Sequence, residues 1–296
     1  MSIFRSRAAA RLVGLALAAL MTFACVVPGS IAAEPATKSI SAQRVFSAGH
    51  SFHFFMPPIL TEVCALAKIE GHKQVGEQAL GGSQVLSHWN LETAKNTVRP
   101  ALEKGEIDVL TVSPLYLPDA GIEKFGELGL VHNPELRITV QEFWLPFDDV
   151  AAWNQRPKVV DHNALSMREL RRNHEGYFKE MDAHVVDLNK KFGKTVLYVV
   201  PVGQAMLDLR EAVANGRCPG ITDQNRLFTD PVGHPETAVK LLTTYCHFAV
   251  IYRRSPISLP VPTVLAKRPE AEKLNALLQE IAWKAVTSHP LSGVKP

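Results

Sequence analysis

Arg44-Val-Phe-Ser-Ala-Gly-His-Ser-Phe-His53 carries a short apolar strand straight into a Gly-His-Ser turn. Behind it, Pro57-Pro58 opens a segment in which Ile59, Leu60, Val63, Leu66 and Ala67 recur at helical spacing before Gly71. Strand, turn and helix in that order set Ser51 at the C-terminal edge of a sheet. Open α/β sheets bind ligands at that edge, and the first turn of the helix leaves N–H groups free to face developing negative charge. Ser51 is therefore the candidate nucleophile.

Working outward, strands and helices alternate. Residues 73–79 read as a polar second strand, followed by the Gly81-Gly82-Ser83 loop. A helix is expected over 91–104, stopping at Gly105, then a strand over 107–112 ended by Ser113-Pro114, a helix over 121–130 and a strand over 136–141. Residues 143–173 have little periodicity, carry the adjacent acids Asp148-Asp149 and form a long excursion, a kind of segment often functional in a compact domain. Residues 174–192 put Phe178, Met181, Val185 and Leu188 on one helical face and end at Gly193. Thr195-Val-Leu-Tyr-Val-Val200 is the clearest buried strand, turned by Pro201-Val-Gly203 into a helix over 204–215. A turn-rich loop over 216–234 and helices over 235–252 and 269–288 complete the chain, which contains no internal repeat. This alternation predicts an α/β fold: a mainly parallel sheet covered on both faces.

The first 33 residues have another character. Arg5, Arg7 and Arg11 precede an apolar run from Leu12 to Val27 and the small residues Ser30-Ile-Ala-Ala33, the layout of a secretory signal peptide. The run is short for a membrane span, so no stable membrane insertion is expected after cleavage, and the address is periplasmic or extracellular. Residues 34–43 are a polar lead-in, and 44–290 form a single domain. Cleavage removes three arginines and no acids, which leaves 29 basic residues against 29 acidic ones. A formally neutral chain excludes a nucleic-acid binder and a polybasic membrane-surface protein. Cys64, Cys218 and Cys246 remain, and an odd number permits at most one internal bridge.

A serine hydroxyl attacks only when a base takes its proton, and the base must be held in one tautomer. Asp230-Pro-Val-Gly-His234 supplies an acid and a base in one loop. The same residues also fit a plain turn that enters a helix.

Gly49-His50-Ser51, then Gly81-Gly82-Ser83 with His88-Trp89, then Asp230 to His234, in that order, resemble the SGNH (GDSL-like) hydrolases. The likeness extends to Tyr198-Val-Val-Pro-Val-Gly203 and Ile251-Tyr-Arg-Arg-Ser-Pro256, covers about residues 42–290 and points to an exported bacterial subgroup with Gly-His-Ser in place of Gly-Asp-Ser. The resemblance implies a three-layer α/β/α sandwich with a flavodoxin-like sheet. It also implies an esterase or carbohydrate O-deacetylase that uses no metal and no cofactor and takes a small-molecule or glycan ester. Residue by residue, it makes Ser51 the nucleophile, His234 the base and Asp230 the orienting acid, with Ser51 and Gly82 as oxyanion donors.

Three departures accompany it. The family's Gly-x-Asn-Asp should fall just past Val112, where this chain has Ser113-Pro-Leu-Tyr-Leu-Pro-Asp119; Asn133 and Gln141 are the candidate replacement donors. Three residues rather than two separate Asp230 from His234, so Asp223 is the alternative acid. His50 stands where the family has Asp. His50, Gln141, His88, Trp89 and Trp144 are candidate substrate contacts, with Trp153, Phe143 and Phe147 as further candidates for a sugar-binding surface, although core packing accounts equally for such aromatics. His50, His53 and His88 all fall in loops at the same sheet edge, but without a His-Glu-x-x-His pattern or ordinary ligand spacing no metal site is expected. The acids Asp148-Asp149 read as a solvated pair.

Overall fold

The computed structural model describes residues 42–149 and 151–296, so the expected signal peptide and most of the lead-in lie outside the described residues. Strands β1 (Arg44–Gly49), β2 (Lys73–Ala79), β3 (Val109–Val112), β4 (Arg137–Gln141) and β5 (Leu197–Val200) form one sheet in the order β2-β1-β3-β4-β5, every pair parallel. The predicted α/β class is the observed one, and the sheet is wholly parallel.

Burial explains which strands were legible. β1, β3, β4 and β5 are buried along most of their length, as parallel strands covered on both faces must be. β2 is an edge strand, alternately exposed, which accounts for its polar sequence Lys-Gln-Val-Gly-Glu-Gln-Ala. The other edge, β5, is covered: the Leu291 carbonyl accepts from Val199 N–H at 3.0 Å.

On one side α1 (Met56–Leu66) packs on α8 (Thr237–Tyr252), which also contacts α7 (Val202–Ala214) and α9 (Ala271–Ser288). α8 is buried almost all round, as its nearly unbroken apolar run requires. Elsewhere α4 (Ala120–His132) packs on α2 (Val85–Trp89) and α3 (Val98–Glu103), while α6 (Met167–Phe192) packs on β5 and α7. A Cβ on Gly121 would lie 2.2 Å from Leu86 N, so the α2–α4 approach needs glycine there.

Two helices differ from the sequence expectation. The helix expected over 91–104 is confined to α3. Asn96 Nδ2 donates to the His88 and Trp89 carbonyls, and Gln78 Oε1 accepts from Thr97 N–H, so residues before Val98 are tied into a turn. α6 begins at Met167, well before 174, because Ser166 and Glu169 form a capping box; Ser-Met-Arg-Glu is the sequence signature of one.

The excursion over 143–173 is anchored by a buried ion pair. Asp148 follows Phe147 in left-handed backbone, with φ of 61° and 57°, and its carboxylate takes both terminal nitrogens of Arg210 and Nδ1 of His162. Arg210 also donates to Gln224 Oε1 at 2.7 Å and to the His162 carbonyl. The expectation of a solvated acid pair is thus corrected: Asp148 is buried, and only its neighbour Asp149 faces solvent. Desolvation would raise the Asp148 pKa, but the hydrogen bonds from His162 and Arg210 outweigh it and hold the carboxyl below its ordinary value.

Breaking a buried pair strands a charge, so Arg210→Met is expected to cost about 3–5 kcal/mol, and Arg210→Met with Asp148→Leu markedly less than the sum of the single changes. Urea unfolding of the four proteins in the double-mutant cycle checks this; additive losses would overturn it.

Candidate active site

The chain reverses its direction of travel across the sheet at β1, which has β2 on one side and β3 on the other. The crevice beyond the C-terminal ends of β1 and β3 is therefore a topological switch point, the usual ligand site of such sheets. Ser51 leaves β1 into that crevice.

The turn is built from its histidines. A Cβ on Gly49 would lie 2.6 Å from the His53 ring, so glycine there makes room for His53. His53 Nδ1 meets Gln141 Oε1 at 2.8 Å and its Nε2 meets Thr111 Oγ1 at 2.9 Å. The His50 carbonyl accepts from His53 and Phe54 N–H, which curls the backbone around Ser51. His50 Nδ1 accepts from Phe52 N–H at 3.2 Å, so Nε2 carries the proton and donates to Ser113 Oγ at 3.0 Å, bridging the two strand ends. Burial, followed by the nearby His53, pushes His50 down to about 3, and burial pushes His53 down to about 4.

Ser51, His234 and Asp230 meet. His234 Nε2 lies 2.8 Å from Ser51 Oγ, and His234 Nδ1 lies 2.5 Å from Asp230 Oδ2. With Nδ1–H donating to the carboxylate, Nε2 is the acceptor for the serine proton. Asp230 Oδ1 also accepts the N–H groups of Gly233 and His234, each at 3.2 Å. Desolvation works to raise the Asp230 pKa, but its bonds to the His234 ring and backbone hold it below the ordinary value.

The extra residue between acid and base is absorbed by a tight turn, in which Gly233 sits at φ of 93° and donates to the Asp230 carbonyl. The loop is closed by the Phe228–Pro235 bridge. Asp223, the alternative acid, instead caps the turn over 224–227 and takes Asn163 Nδ2.

Trp144 ties the two halves of the site together. Its indole stacks on Phe52 with centroids 4.5 Å apart and planes 9° from parallel, and its Nε1–H donates to the Gly233 carbonyl at 2.9 Å. Phe52 in turn presents its edge to the His234 ring at 5.4 Å. Trp144 is buried, so the expectation that it contacts substrate is corrected: it packs beneath the site.

Other expected contacts are likewise corrected. Gln141 is fully buried, its Oε1 shared by His53 and His247 and its Nε2 donating to the Phe52 carbonyl, so it neither touches substrate nor replaces the missing side-chain donor. Asn133 ends α4 at the opposite edge, donating to the Ile107 carbonyl. His88 is buried between Gln78 Nε2 and Ser83 Oγ, where it braces the Gly-Gly-Ser loop. Trp89 packs on Phe125, flanked by Arg99 and Lys124. Phe143 packs on His50 and Tyr177 in the core. His50 reaches the floor of the cleft, but both of its ring nitrogens are already bonded.

A cleft of about 470 Å³ opens over Ser51. Gly81 and Gly82 border it, and a Cβ on either would meet nothing within 4 Å, so the loop's backbone is open to a ligand. Among the described residues, neither Ser51 N–H nor Gly82 N–H is engaged in a backbone hydrogen bond. The outer wall is Phe54, Leu115, Phe147, Trp153, Arg156 and Val232. Sequence reasoning missed Phe54, Leu115, Arg156 and Val232; the available signals were their places beside Ser51, Ser113, Trp153 and Gly233. The arrangement can deprotonate a hydroxyl, direct it at an electrophile in the cleft and present two backbone N–H groups beside it. Cys64, Cys218 and Cys246 are free and buried; burial pushes Cys64 up to about 12 and Cys218 to about 11, so neither is a nucleophile.

No protein-family model and no curated protein matches this chain. Solved structures do. A DUF4886 family protein from Bacteroides uniformis aligns over 83% of this chain and 95% of its own, with 14% identity and a TM-score of 0.54. A "putative GDSL-like lipase" from Parabacteroides merdae aligns over 73% of this chain and 97% of its own, with 12% identity and a TM-score of 0.41. The first likeness establishes a shared α/β fold.

Burial holds His50, His53, His88 and His174 neutral, lowered to about 3, 4, 4 and 4, and pushes His247 well below its ordinary value. Each binds its proton more readily in the unfolded chain. Its contribution is complete above about pH 6.5 and is lost as pH falls towards the folded value, at on the order of 1 kcal/mol per pH unit per histidine. Urea midpoints are expected to fall steeply between about pH 6.5 and about pH 5; a flat profile would contradict the assignment.

Trp144→Phe keeps a ring on Phe52 but leaves the Gly233 carbonyl unpaired. A loss of about 1–3 kcal/mol is expected, measured by the same unfolding; an unchanged midpoint would remove the indole hydrogen bond from the account.

Proposed function

We propose that this protein is an exported serine ester hydrolase of the SGNH type that removes a small acyl group, such as acetate, from a carbohydrate. The observation that carries the reading is the hydrogen-bonded line Ser51 Oγ, His234, Asp230 at 2.8 and 2.5 Å, opening on a cleft at the switch point.

In this reading Ser51 Oγ attacks the ester carbonyl while His234 Nε2 takes its proton, and the Ser51 and Gly82 N–H groups receive the oxyanion. Asp230 holds the imidazole in the required tautomer and stabilises the imidazolium. As the tetrahedral intermediate collapses, the C–O bond to the alcohol breaks and His234 returns the proton to the leaving oxygen. Water, deprotonated by His234, then attacks the acyl-serine, and collapse of the second intermediate frees the carboxylic acid and Ser51. Exposed Phe54, with Trp153 on the wall, offers aromatic faces on which sugar rings stack. The signal-like N-terminus and neutral mature charge support an extracytoplasmic glycan as substrate.

One observation favours a second reading, a glycan-binding protein of low or no activity. Among the described residues lining the cleft, no side-chain amide stands with the two backbone donors: Ser113 occupies that region and its hydroxyl is held by the buried His50. Losing one such donor costs about 10²–10³ in turnover.

Hydrolysis of p-nitrophenyl acetate decides between them. The wild type is expected to turn over slowly, and Ser51→Ala and His234→Ala to fall by at least about 10³. A fluorophosphonate is expected to label Ser51 and no other serine. Equal rates in wild type and Ser51→Ala, with no labelling, would leave the binding reading.

A further inference from the structure

Among the residues lining the cleft over Ser51, Arg156 is the sole permanent charge, and no Asp or Glu faces it there. Arg156 ends the short helix α5 (Ala152–Gln155) in left-handed backbone, φ 45° and ψ 62°, with its N–H on the Ala152 carbonyl. That conformation brings its guanidinium over the Trp153 ring, 5.6 Å from the centroid. A guanidinium lying on an indole face keeps its in-plane N–H groups free, and those are the groups that hold a carboxylate two at a time. No carboxylate among the described residues uses them: Arg156 takes part in no ion pair, and the neighbouring Asp149 accepts from Ala151 N–H instead. Other exposed arginines, such as Arg168, Arg172 and Arg217, also lack an acid partner; what sets Arg156 apart is its place on the wall of the cleft over Ser51, against Trp153.

We propose that Arg156, steadied on Trp153, is a specificity-determining residue that selects acyl esters bearing a carboxylate. The substrate class is then an acid-bearing acylated compound, such as an O-acetylated uronic acid, rather than a neutral acylated sugar. The inference rests on the hydrolase reading of the same cleft. Its ligand contributes the anion that the cleft lacks; Arg156 is exposed, so the pair is one that salt screens, and its strength comes from the two-pronged geometry of the guanidinium.

The test compares kcat/KM within two matched pairs. O-acetylated galacturonic acid against its methyl ester carries the acid on the alcohol side; p-nitrophenyl hemisuccinate against p-nitrophenyl butyrate carries it on the acyl side. The wild type is expected to prefer the acid in at least one pair by about tenfold, chiefly through KM, and to lose that preference as salt is raised. The pair that shows the preference identifies the side of the ester that Arg156 reads. In Arg156→Met the acid-to-neutral ratio is expected to fall to about one, and in Arg156→Lys to lie between, because a point charge cannot reproduce the fork. Because the readout is a ratio within one protein, partial misfolding does not mimic it. A wild-type ratio near one in both pairs, or a preference unchanged in Arg156→Met, overturns the inference even when Ser51 is essential. Calorimetric binding of free galacturonate to Ser51→Ala, present with Arg156 and lost in the added Arg156→Met, would support the subsite even if the hydrolase reading failed.

Discussion

The site depends on one indole. Trp144 leaves the end of β4, lies flat against Phe52 beside Ser51, and donates its N–H to the carbonyl of Gly233 beside His234. Ser51 and His234 are 183 positions apart, and their 2.8 Å contact requires two separate loops to agree within a fraction of an ångström. A buried, rigid ring that touches both meets that demand better than two loops packed independently, because its rotamer is set by the core and not by solvent.

Beneath that ring, polar side chains do what a hydrophobic core cannot. His50 joins the ends of β1 and β3 through Ser113, while His53, Gln141 and His247 share hydrogen bonds under the turn. All are buried, and each histidine is held neutral, so directionality is obtained without placing charge in a low-dielectric interior. The same arrangement fixes Ser113: its hydroxyl is engaged by the His50 ring and so belongs to the structure beneath Ser51.

The excursion over 143–173 is anchored in the interior at its base and lines the cleft with its outer part. Its base is fixed by Asp148 and Arg210 in the interior, and its outer part carries Trp153 and Arg156 to the cleft wall. A buried ion pair contributes little net stability, but it holds an irregular segment in one position. That suits a loop whose outer part lines a cleft rather than packing on a sheet.

The amino-acid sequence by itself determined the parallel α/β architecture, because strands buried on both faces must be written as apolar runs, and it marked Ser51, Asp230 and His234 through the turns that carry them. It also contained the capping box at Ser166 and the glycine that absorbs the extra residue at 233, since both are local backbone requirements. What only the tertiary structure decided was which polar and aromatic residues face the cleft. Gln141, His88 and Trp144 are chemically able to contact a ligand, yet each is consumed by protein partners, far along the chain for Gln141 and Trp144 and within the β2–α2 segment for His88; Arg156 is an unremarkable arginine until Trp153 and the cleft are in place. Burial and hydrogen-bond partnership are properties of neighbours brought together by folding, and periodicity along the chain does not encode them.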